Sequence, residues 1–576
     1  MKPYFGLRGK QLNYAIGIIA GCDFLLFGYD QGVMGGILTM RNFLDDFPDI
    51  DPDGATTRAL KKTRSETQGI SVAAYNLGCF LGAVITIWIG NPLGRRRMIL
   101  LGTAIMVIGA ILQASATTLP HFIIGRIITG IGNGGNTSTV PTWQSETSRS
   151  HKRGKLVMIE GALITCGIMI SYWIDLGFSF VPGSVAWRFP LAFQIVFCLF
   201  ILSTIWNLPE SPRWLVLKDR EDEALDVLAA LADTTIDDKD VRNEFIAIKD
   251  TVLEMKKGRF RDLFTQGKDR NFHRTLLGYT NQMFRESNTC AADALPMRCR
   301  CAADALPQSA LALDHLLTRP TEQISGINLI TYYAPVIYSG LGMSSFMARL
   351  LAAINGTEYF IASWPSVYLV ERVGRRKLML FGAAGQAASM AVLAGVNSRP
   401  DSAPCQIAAV VFLFVFNTFF AIGWLGMTWL YPAEIVPLRI RAPANALSTS
   451  ANWIFNFMVV MITPVAFDSI GYQTYIIFAV INAFMVPSVY FFYPETAYRS
   501  LEEMDAIFHK VDGAAAYFQV VGVARNEPRR YGKNGELLIA YEETEEHKAH
   551  VHHGEFKGAS ASHSEGDAEN GRGGVM

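Results

Sequence analysis

The sequence has few charged residues for its length. Only 18% of its 576 residues are Asp, Glu, Lys or Arg, and 51 basic residues balance 51 acidic ones, so the net charge is zero. This balance, without a separate basic region, disfavours nucleic acid as a partner. Hydrophobic residues make up 50% of the chain, more than a soluble enzyme of this length normally carries. These features predict an integral membrane protein.

Cysteine is also scarce, with eight residues in the whole chain. Four of them lie within apolar segments, where a thiol behaves as a small hydrophobic group; they are Cys22, Cys79, Cys166 and Cys198. Their positions define no disulfide framework. No Ser/His/Asp set, metal-ligand set or phosphate-binding loop stands in a suitable place, so the sequence predicts no enzyme activity, no cofactor and no metal.

Long apolar runs fall into two groups of six, and runs of about 20 residues cross a bilayer as helices. The predicted spans are 14–36, 68–90, 98–117, 121–141, 156–177 and 188–208, then 323–340, 347–370, 378–397, 406–431, 445–467 and 471–493. They predict an all-α membrane protein of twelve helices in two six-helix halves. The corresponding regions are an N-terminus at 1–13, a first half at 14–208, a linker at 209–274, a second half at 275–493 and a tail at 494–576.

Basic residues mark alternate loops, and such loops normally face the cytoplasm. They cluster at 95–97, 149–155, 372–377 and 439–441. This pattern predicts a multi-pass protein of the cell membrane with both termini and the linker in the cytoplasm. The tail is polar and is expected to be largely disordered beyond a helix at 499–508.

Three motifs of the first half return in the second half, in the same order. GNPLGRRRM at 90–98 returns as RVGRRKLML at 372–380, and PESPRWL at 209–215 as PETAYRSL at 494–501; the third pair is SETSRSHKRG at 145–154 and AEIVPLRIRA at 433–442. A parallel repeat of six-helix halves is the major facilitator architecture, in which the substrate binds at the midplane between the halves.

The repeated motifs bring arginines and acids to the cytoplasmic rim. Arginine pairs bidentately with carboxylates, so these groups can form a gate that closes one face. The alternative is that the arginines only set the topology. The predicted gate residues are Arg95, Arg96, Glu146, Arg153, Glu210, Arg375, Arg376, Glu434, Arg441 and Glu495.

Two carboxylates interrupt the first apolar segment, in GCDFLLFGYDQGVMGG at 21–36. A charge at the centre of a bilayer costs roughly 2.5–3.5 kcal/mol, so such a residue is a candidate functional site. We predict this role for Asp30; the alternative is that Asp30 only locks two helices together. Asp23 lies nearer the helix start and is predicted to be an interfacial or capping carboxylate.

Taken together, these motifs resemble the sugar porter family of the major facilitator superfamily. The resemblance rests on GYDQG around Asp30, GRIITGIGNG at 125–134, QISGINLITYY at 323–333 and PETAYRSLEEMD near the tail. NWIFNFMVVMITP at 452–464 is similar to the fungal branch with glycerol/proton symporters and hexose transporters. The resemblance implies a secondary active transporter that imports a sugar or polyol with protons by alternating access.

The resemblance also implies roles for single residues. Asp30 matches the acid of the first helix that proton-coupled members use, and Arg126 matches the arginine of the fourth helix that pairs with it. A polyol needs many hydrogen-bond partners and an apolar face, which amides and aromatic rings supply. The implied substrate residues are Gln323, Asn328, Tyr332, Tyr333, Tyr359, Trp429 and Asn452.

Several positions depart from the family pattern. Asn91 replaces an acid of the first loop motif, Gly161 a glutamine that binds sugar in hexose transporters, and Tyr359 an asparagine, with Glu358 beside it as another intramembrane acid. The site is therefore not a standard glucose site. The alternatives are a facilitative hexose transporter, a non-transporting sugar sensor and a secondary-metabolite transporter. The expected partners are a small sugar or polyol, protons and the lipid bilayer, and the chain is expected to be a monomer.

Residues 285–322 interrupt the seventh helix with a segment that contains CAADALP twice. A polar insertion cannot stay in hydrocarbon without partners for its backbone. We interpret it as a wrongly translated intron; a real loop and a disabled protein are the alternatives.

Overall fold

The computed structural model describes residues 3–148, 153–257, 260–265, 269–286, 326–399, 402–437, 440–499, 501–511 and 516–528. Within these ranges the chain forms helices and no strands. Most of the predicted insertion at 285–322 and most of the tail lie outside the described residues.

The first half consists of six long helices and one short one that follows the first. They are α1 (Gly9–Ile37), α2 (Arg41–Asp46), α3 (Arg58–Leu93), α4 (Arg95–Ala114), α5 (Leu119–Thr147), α6 (Arg153–Phe178) and α7 (Val185–Ile205). The linker contributes three helices, α8 (Pro212–Leu217), α9 (Glu221–Ala232) and α10 (Lys239–Lys257).

The second half repeats this arrangement, with two of its six helices in two pieces. Its helices are α11 (Asn271–Glu286), α12 (Ile327–Gly340), α13 (Ser345–Val373), α14 (Arg375–Asn397), α15 (Ala403–Gly423), α16 (Met427–Ile435), α17 (Arg441–Ile470) and α18 (Gln473–Phe492). Two helices follow it, α19 (Leu501–His509) and α20 (Ala516–Asn526).

Among the described residues, nine helical segments are long and apolar enough to cross a membrane. They are α1, α3, α4, α6, α7, α14, the α15–α16 pair, α17 and α18. The remaining three of the twelve membrane helices are α5 and α13, which carry buried polar residues, and the α11–α12 pair, which is divided. The prediction of an all-α bundle with two groups of six helices is therefore confirmed.

Small residues let the helices of the first half approach closely. On α1, a Cβ added to Gly28 would collide with the backbone carbonyl of Ile164, and one added to Gly167 on α6 would collide with that of Leu25. In lipid there is no hydrophobic driving force for helices to associate, so close van der Waals packing holds them together. Glycines allow this packing because they let the two backbones come into contact. This packing holds α1 and α6 in one register along their length.

The two halves meet at both ends of the bundle. On the side where α1 ends, the Tyr172 hydroxyl donates to the carbonyl of Thr331 at 2.5 Å, and Arg349 Nη1 donates to the carbonyl of Thr39 at 3.1 Å. At the other end, a Cβ on Gly154 would lie 2.6 Å from Glu371 Oε1. The central residues are therefore enclosed between the halves.

Four features of the fold differ from the predictions. Helix α3 begins at Arg58 instead of residue 68, because its first turns are polar and extend beyond the apolar run. The predicted span 406–431 is broken between α15 and α16. The seventh helix begins at Asn271, inside the predicted linker, and α20 forms where disorder was expected.

Candidate functional site

Asp30 lies in the interior of the bundle. It follows more than five turns of α1 and is fully buried. Neither of its carboxylate oxygens has a hydrogen-bond partner in the described part of the chain. Buried carboxylates are normally paired or hydrogen-bonded, so this one is a candidate for a group that changes its charge during function.

Arg126 is the cation whose charge acts on Asp30. It lies on α5 and is fully buried. Its Nη2 donates to the carbonyl of Val72 at 3.2 Å, and its guanidinium carbon lies 4.9 Å from the ring centre of Tyr75. Within the described ranges Asp30 and Arg126 share no direct hydrogen bond. The two predicted partners therefore interact through their charges but do not form a salt bridge in this structure.

Aromatic contacts connect this charged pair with the second half. Tyr75, under the Arg126 guanidinium, packs edge-on against Trp453 of α17, with ring centres 6.2 Å apart. Phe27, one turn before Asp30, packs against the same indole at 5.1 Å. A change in the position of Arg126 would therefore alter the packing of Tyr75 against Trp453 at the interface between the halves.

Two of the predicted substrate residues lie on α12 and are buried between the halves. The Tyr332 hydroxyl donates to Asn76 Oδ1 of α3 at 2.9 Å, and the Tyr333 hydroxyl donates to the carbonyl of Val460 at 2.8 Å. Tyr333 has non-helical backbone angles (φ −127°, ψ 15°), two residues before Pro335. Proline removes a helical hydrogen bond, so α12 is kinked where these rings enter the interface.

Asn452 of α17 is fully buried, as is Asn456 one turn later. Neither amide has a hydrogen-bond partner among the residues that the structure describes. Residues four apart lie on the same helix face. Unsatisfied buried amides are rare in folded proteins, so this pair can supply donors and acceptors to a polar ligand.

The other predicted substrate residues are buried too. Asn328 lies one turn before Tyr332, the indole of Trp429 packs edge-on against Phe24 of the first half, and Tyr359 packs against Phe420. Gln323 lies outside the described residues. Of the three described residues, Trp429 contacts the other half through Phe24, and their role in substrate binding stays a prediction.

The structure shows the neighbours of two residues that depart from the family pattern, Gly161 and Glu358. A Cβ on Gly161 would lie 3.4 Å from the Cα of Gly426, at the break between α15 and α16. Glu358 accepts a hydrogen bond from Thr418 at 2.6 Å and lines a groove with Trp173 and Ile361, which is 63% exposed. This acid is therefore half-buried beside an exposed groove, and its Oε2 has no hydrogen-bond partner among the described residues.

The prediction for Asp23 is wrong. It is neither interfacial nor a helix cap, because α1 begins at Gly9 and Asp23 is buried inside the bundle. Its Oδ1 accepts a hydrogen bond from Asn136 of α5 at 2.7 Å. The apolar run that predicted the span starts later than the helix itself, which misplaced Asp23 near an end.

The first cluster of predicted gate residues centres on Arg95. Its Nε and Nη2 donate to the two carboxylate oxygens of Glu146 at 3.0 and 3.2 Å. The Ser211 hydroxyl donates to the same carboxylate at 2.6 Å, and Asn91 Oδ1 accepts from Arg95 Nη1 at 3.3 Å. The Glu210 carboxylate accepts the backbone N–H groups of Arg95 and its neighbour at 3.1 to 3.2 Å.

The second cluster repeats this geometry around Arg375. Its Nε and Nη2 donate to Glu434 at 3.1 and 2.8 Å, and its Nη1 donates to Glu371 at 2.9 Å. The Thr496 hydroxyl donates to Glu434 at 2.6 Å, and Glu495 accepts the backbone N–H of Arg375 at 2.9 Å. The clusters thus correspond contact by contact, with Glu371 in the place of Asn91.

Arg96 and Arg376 occupy matching places beside these clusters. Arg96 Nη1 donates to the carbonyl of Leu208 at 3.0 Å, and Arg376 Nη2 donates to that of Tyr490 at 2.6 Å. The side chains of the other predicted gate residues, Arg153 and Arg441, lie outside the described part of the structure.

A glycine precedes each central arginine for a steric reason. Gly94 and Gly374 have φ values of 87° and 96°, which residues with a Cβ rarely adopt. A Cβ on Gly94 would also lie 2.9 Å from the Glu210 carboxylate. Burial raises the pKa of Glu210, against the lowering effect of backbone N–H groups and of the neighbouring arginines.

Sequence reasoning missed several residues of these clusters. Ser211, Thr496 and Glu371 were recoverable, since each stands at a fixed distance from a residue that the repeat had identified. Asn76 and Glu160 carried no such signal. Their positions became informative only when packing brought Asn76 to Tyr332 and buried Glu160 beside α1.

A duplicated helical bundle with buried charges at its centre and matched charge clusters at one rim defines a polytopic membrane transporter of the major facilitator fold, not an enzyme. The family model described as "Sugar (and other) transporter" matches residues 16–293 and 315–508. The chain belongs to this family.

Known relatives agree with this assignment. The chain is 38% identical over 514 residues to the sugar transporter STL1 of Saccharomyces cerevisiae, covering 88% of this chain and 83% of the relative. It is 39% identical over 539 residues to the MFS-type transporter oryC of Aspergillus oryzae, covering 92% and 91%. The proton:xylose symporter XylE of E. coli shares the fold, with a TM-score of 0.68 at 23% identity over 86% of this chain and 99% of that one.

Proposed function

We propose that this protein imports a small sugar or polyol together with protons, by alternating access to a site between its halves. The observation that carries the proposal is the buried, unpartnered carboxylate of Asp30 beside Arg126, linked through Tyr75 and Trp453 to the unpartnered amide of Asn452. The likeness to a sugar transporter and to a proton:xylose symporter supports the same class of substrate and coupling.

The proton would act through the charge of Asp30. When Asp30 is ionised it attracts the Arg126 guanidinium, which holds α1 and α5 together. Protonation removes that attraction, and Arg126 keeps its contacts with Val72 and the ring of Tyr75. Because Tyr75 touches Trp453 of the other half, the proton and the substrate both bias the same interface.

The substrate would bind where polar groups and rings of both halves meet. Asn452 and Asn456 offer unsatisfied donors and acceptors, and Tyr332 already joins the halves through Asn76. Hydroxyl groups of a polyol can replace such hydrogen bonds, while an aromatic face covers the carbon skeleton. Gly161 in place of a glutamine leaves the first half with one amide fewer, so the contacts with the substrate differ from those of a standard glucose site.

The two cytoplasmic clusters would form the gate. Each joins three helices of one half, through Arg95 with Glu146 or Arg375 with Glu434. Glu371 extends the second cluster to Gly154 of the other half. We place this rim, both termini and the linker in the cytoplasm, the protein in the cell membrane as a monomer, and the ends of α1 and α12 on the outside.

Uptake in yeast that lacks its own transporters tests the proposal. Labelled glycerol, xylose and glucose are supplied separately while the external pH is recorded. We expect accumulation of at least one of them, with alkalinisation of the medium as protons enter. Uptake that equilibrates without a pH change would replace the proposal with facilitated diffusion. The absence of uptake of all three, with the protein at the cell surface, would favour the sensor or the secondary-metabolite transporter.

A further inference from the structure

The first half contains a second pair of buried acids, Asp23 and Glu160. They are 1% and 2% exposed. Both oxygens of Glu160 and the Oδ2 of Asp23 lack a hydrogen-bond partner among the described residues. Neither acid forms an ion pair with a described residue, in contrast to the charged clusters at the rim.

The register of α1 and α6 brings these two acids to the same level. The helices run in the same direction, and Gly21 lies against Leu163 while Gly32 lies against Ser171. Glu160 is therefore beside the turn of α1 that carries Asp23, and the charge of Asp23 acts on Glu160.

The groups around the pair are neutral. Asn136 of α5 donates to Asp23, and the same amide contacts the Thr103 hydroxyl of α4 at 3.0 Å. Cys22 lies beside Asp23 in α1, and Cys198 of α7 is also within electrostatic range of Asp23. On the side of α16, Gly161 next to Glu160 faces the backbone of Gly426.

Two ionised carboxylates cannot be stable in these surroundings. One charge in the bilayer interior costs roughly 2.5–3.5 kcal/mol, and a second charge of the same sign nearby adds to this cost. Asp30 differs, because Arg126 offsets its charge. The uncompensated pair is therefore a place in the first half where a proton is readily retained.

We propose that Asp23 and Glu160 form a second proton-binding site, which holds one proton between them on the cytoplasmic side of Asp30. Asp23 is seven residues from Asp30 on the same face of α1, about 10 Å along the helix. The role of this site in transport rests on the proposed function. There, the O–H bond of Asp30 breaks, its carboxylate faces Arg126 again, and water carries the proton to one acid of the pair, where a new O–H bond forms. The O–H bond of the other acid then breaks and its proton passes to water on the cytoplasmic side, so the pair again holds one proton.

The test uses the purified full chain with the variants Glu160→Gln and Asp23→Asn. Infrared absorption of protonated carboxylic acids is measured at neutral pH in detergent, which requires no transport. Proton-driven accumulation and substrate exchange at equal pH are measured in proteoliposomes. We expect each variant to lose acid absorption and to slow accumulation by about tenfold or more, because a proton carrier is missing. Exchange should stay within about twofold of wild type, since no net proton movement is needed.

Glu358→Gln is the matched control, as a half-buried intramembrane acid of the second half that lies beside an exposed groove and not in the α1–α6 contact, and it should leave accumulation unchanged. Wild-type accumulation and unchanged acid absorption in both variants would overturn the proposal while the proposed function stands. If the wild type moves no protons, the proposed function fails. The infrared signal then decides on the binding site alone: its loss in the variants supports the site, and its persistence overturns it. Two variants are used so that a folding defect in one, detected by gel filtration, leaves the other to decide.

Discussion

The two charge clusters at the rim, around Arg95 and Arg375, have the same contacts but different surroundings. Arg95 and Glu146 expose only 8% and 7% of their side chains. Arg375 is as deeply buried, at 5%, but its partners Glu434 and Glu371 expose 23% and 31%. The first cluster is thus shielded from water, and the second is partly hydrated and carries an additional acid.

The additional acid reaches the other half. Glu371 lies against Gly154, in the first turn of α6, whereas its counterpart Asn91 is exposed and bonds within its own half. A helix N-terminus has unpaired N–H groups and a partial positive charge, which favour a nearby carboxylate. The comparison indicates that the duplicated motif has diverged: the first copy stabilises its own half, and the second also joins the halves.

Arg95→Gln should have the largest effect on stability. The substitution leaves Glu146 buried without its cation, and breaking such a buried pair costs about 3–5 kcal/mol. Thermal unfolding of the purified protein measures the loss. Arg375→Gln is the matched variant and should cost less, because water reaches both of its partner acids. An equal or greater loss for Arg375→Gln would show that burial does not distinguish the clusters.

Glu371→Gln should have an intermediate effect, on conformation more than on stability. Losing the interaction of the carboxylate with the start of α6 removes about 1 kcal/mol from the contact between the halves at this rim, which shifts the equilibrium about fivefold towards the state in which the rim is open. Distances between spin labels on the two halves at this rim report this shift. Asn91→Ala is the control, and an equal response to it would contradict a special role for Glu371.

Asn91→Asp should have the smallest effect. It gives the first cluster the acid that the second one has, at an exposed position where an ion pair contributes about 0.2–1 kcal/mol. Melting temperatures in low and high salt measure it, and any gain should shrink in high salt as the charges are screened. A gain that is large and independent of salt would mean that residue 91 is buried in the working protein.

The matched clusters show what the sequence could predict. Arg95, Glu146, Arg375 and Glu434 were predicted to belong to matching groups of arginines and acids, because motifs in repeated order must occupy equivalent places in two equivalent halves. Which arginine pairs with which acid is known only from the structure. The spans were also predictable, since hydrocarbon requires long apolar helices whatever their neighbours are.

Other features depend on packing between distant segments. The hydrogen bond from Tyr332 to Asn76 joins residues 256 positions apart, and no local pattern indicates it. The break between α15 and α16 lies in an apolar run, where hydropathy gives no warning. Polar turns beyond the bilayer lengthen α1, which is why Asp23 was placed near a helix end and not in the core.

The most direct test of proton coupling is Asp30→Asn in proteoliposomes with an imposed proton gradient. Asparagine keeps the size of the side chain but can neither carry the proton nor attract Arg126 as a charge. We predict that uphill accumulation of the substrate is lost while exchange of labelled for unlabelled substrate remains measurable. Accumulation at the wild-type level would contradict the assignment of Asp30 and, with it, the coupling mechanism.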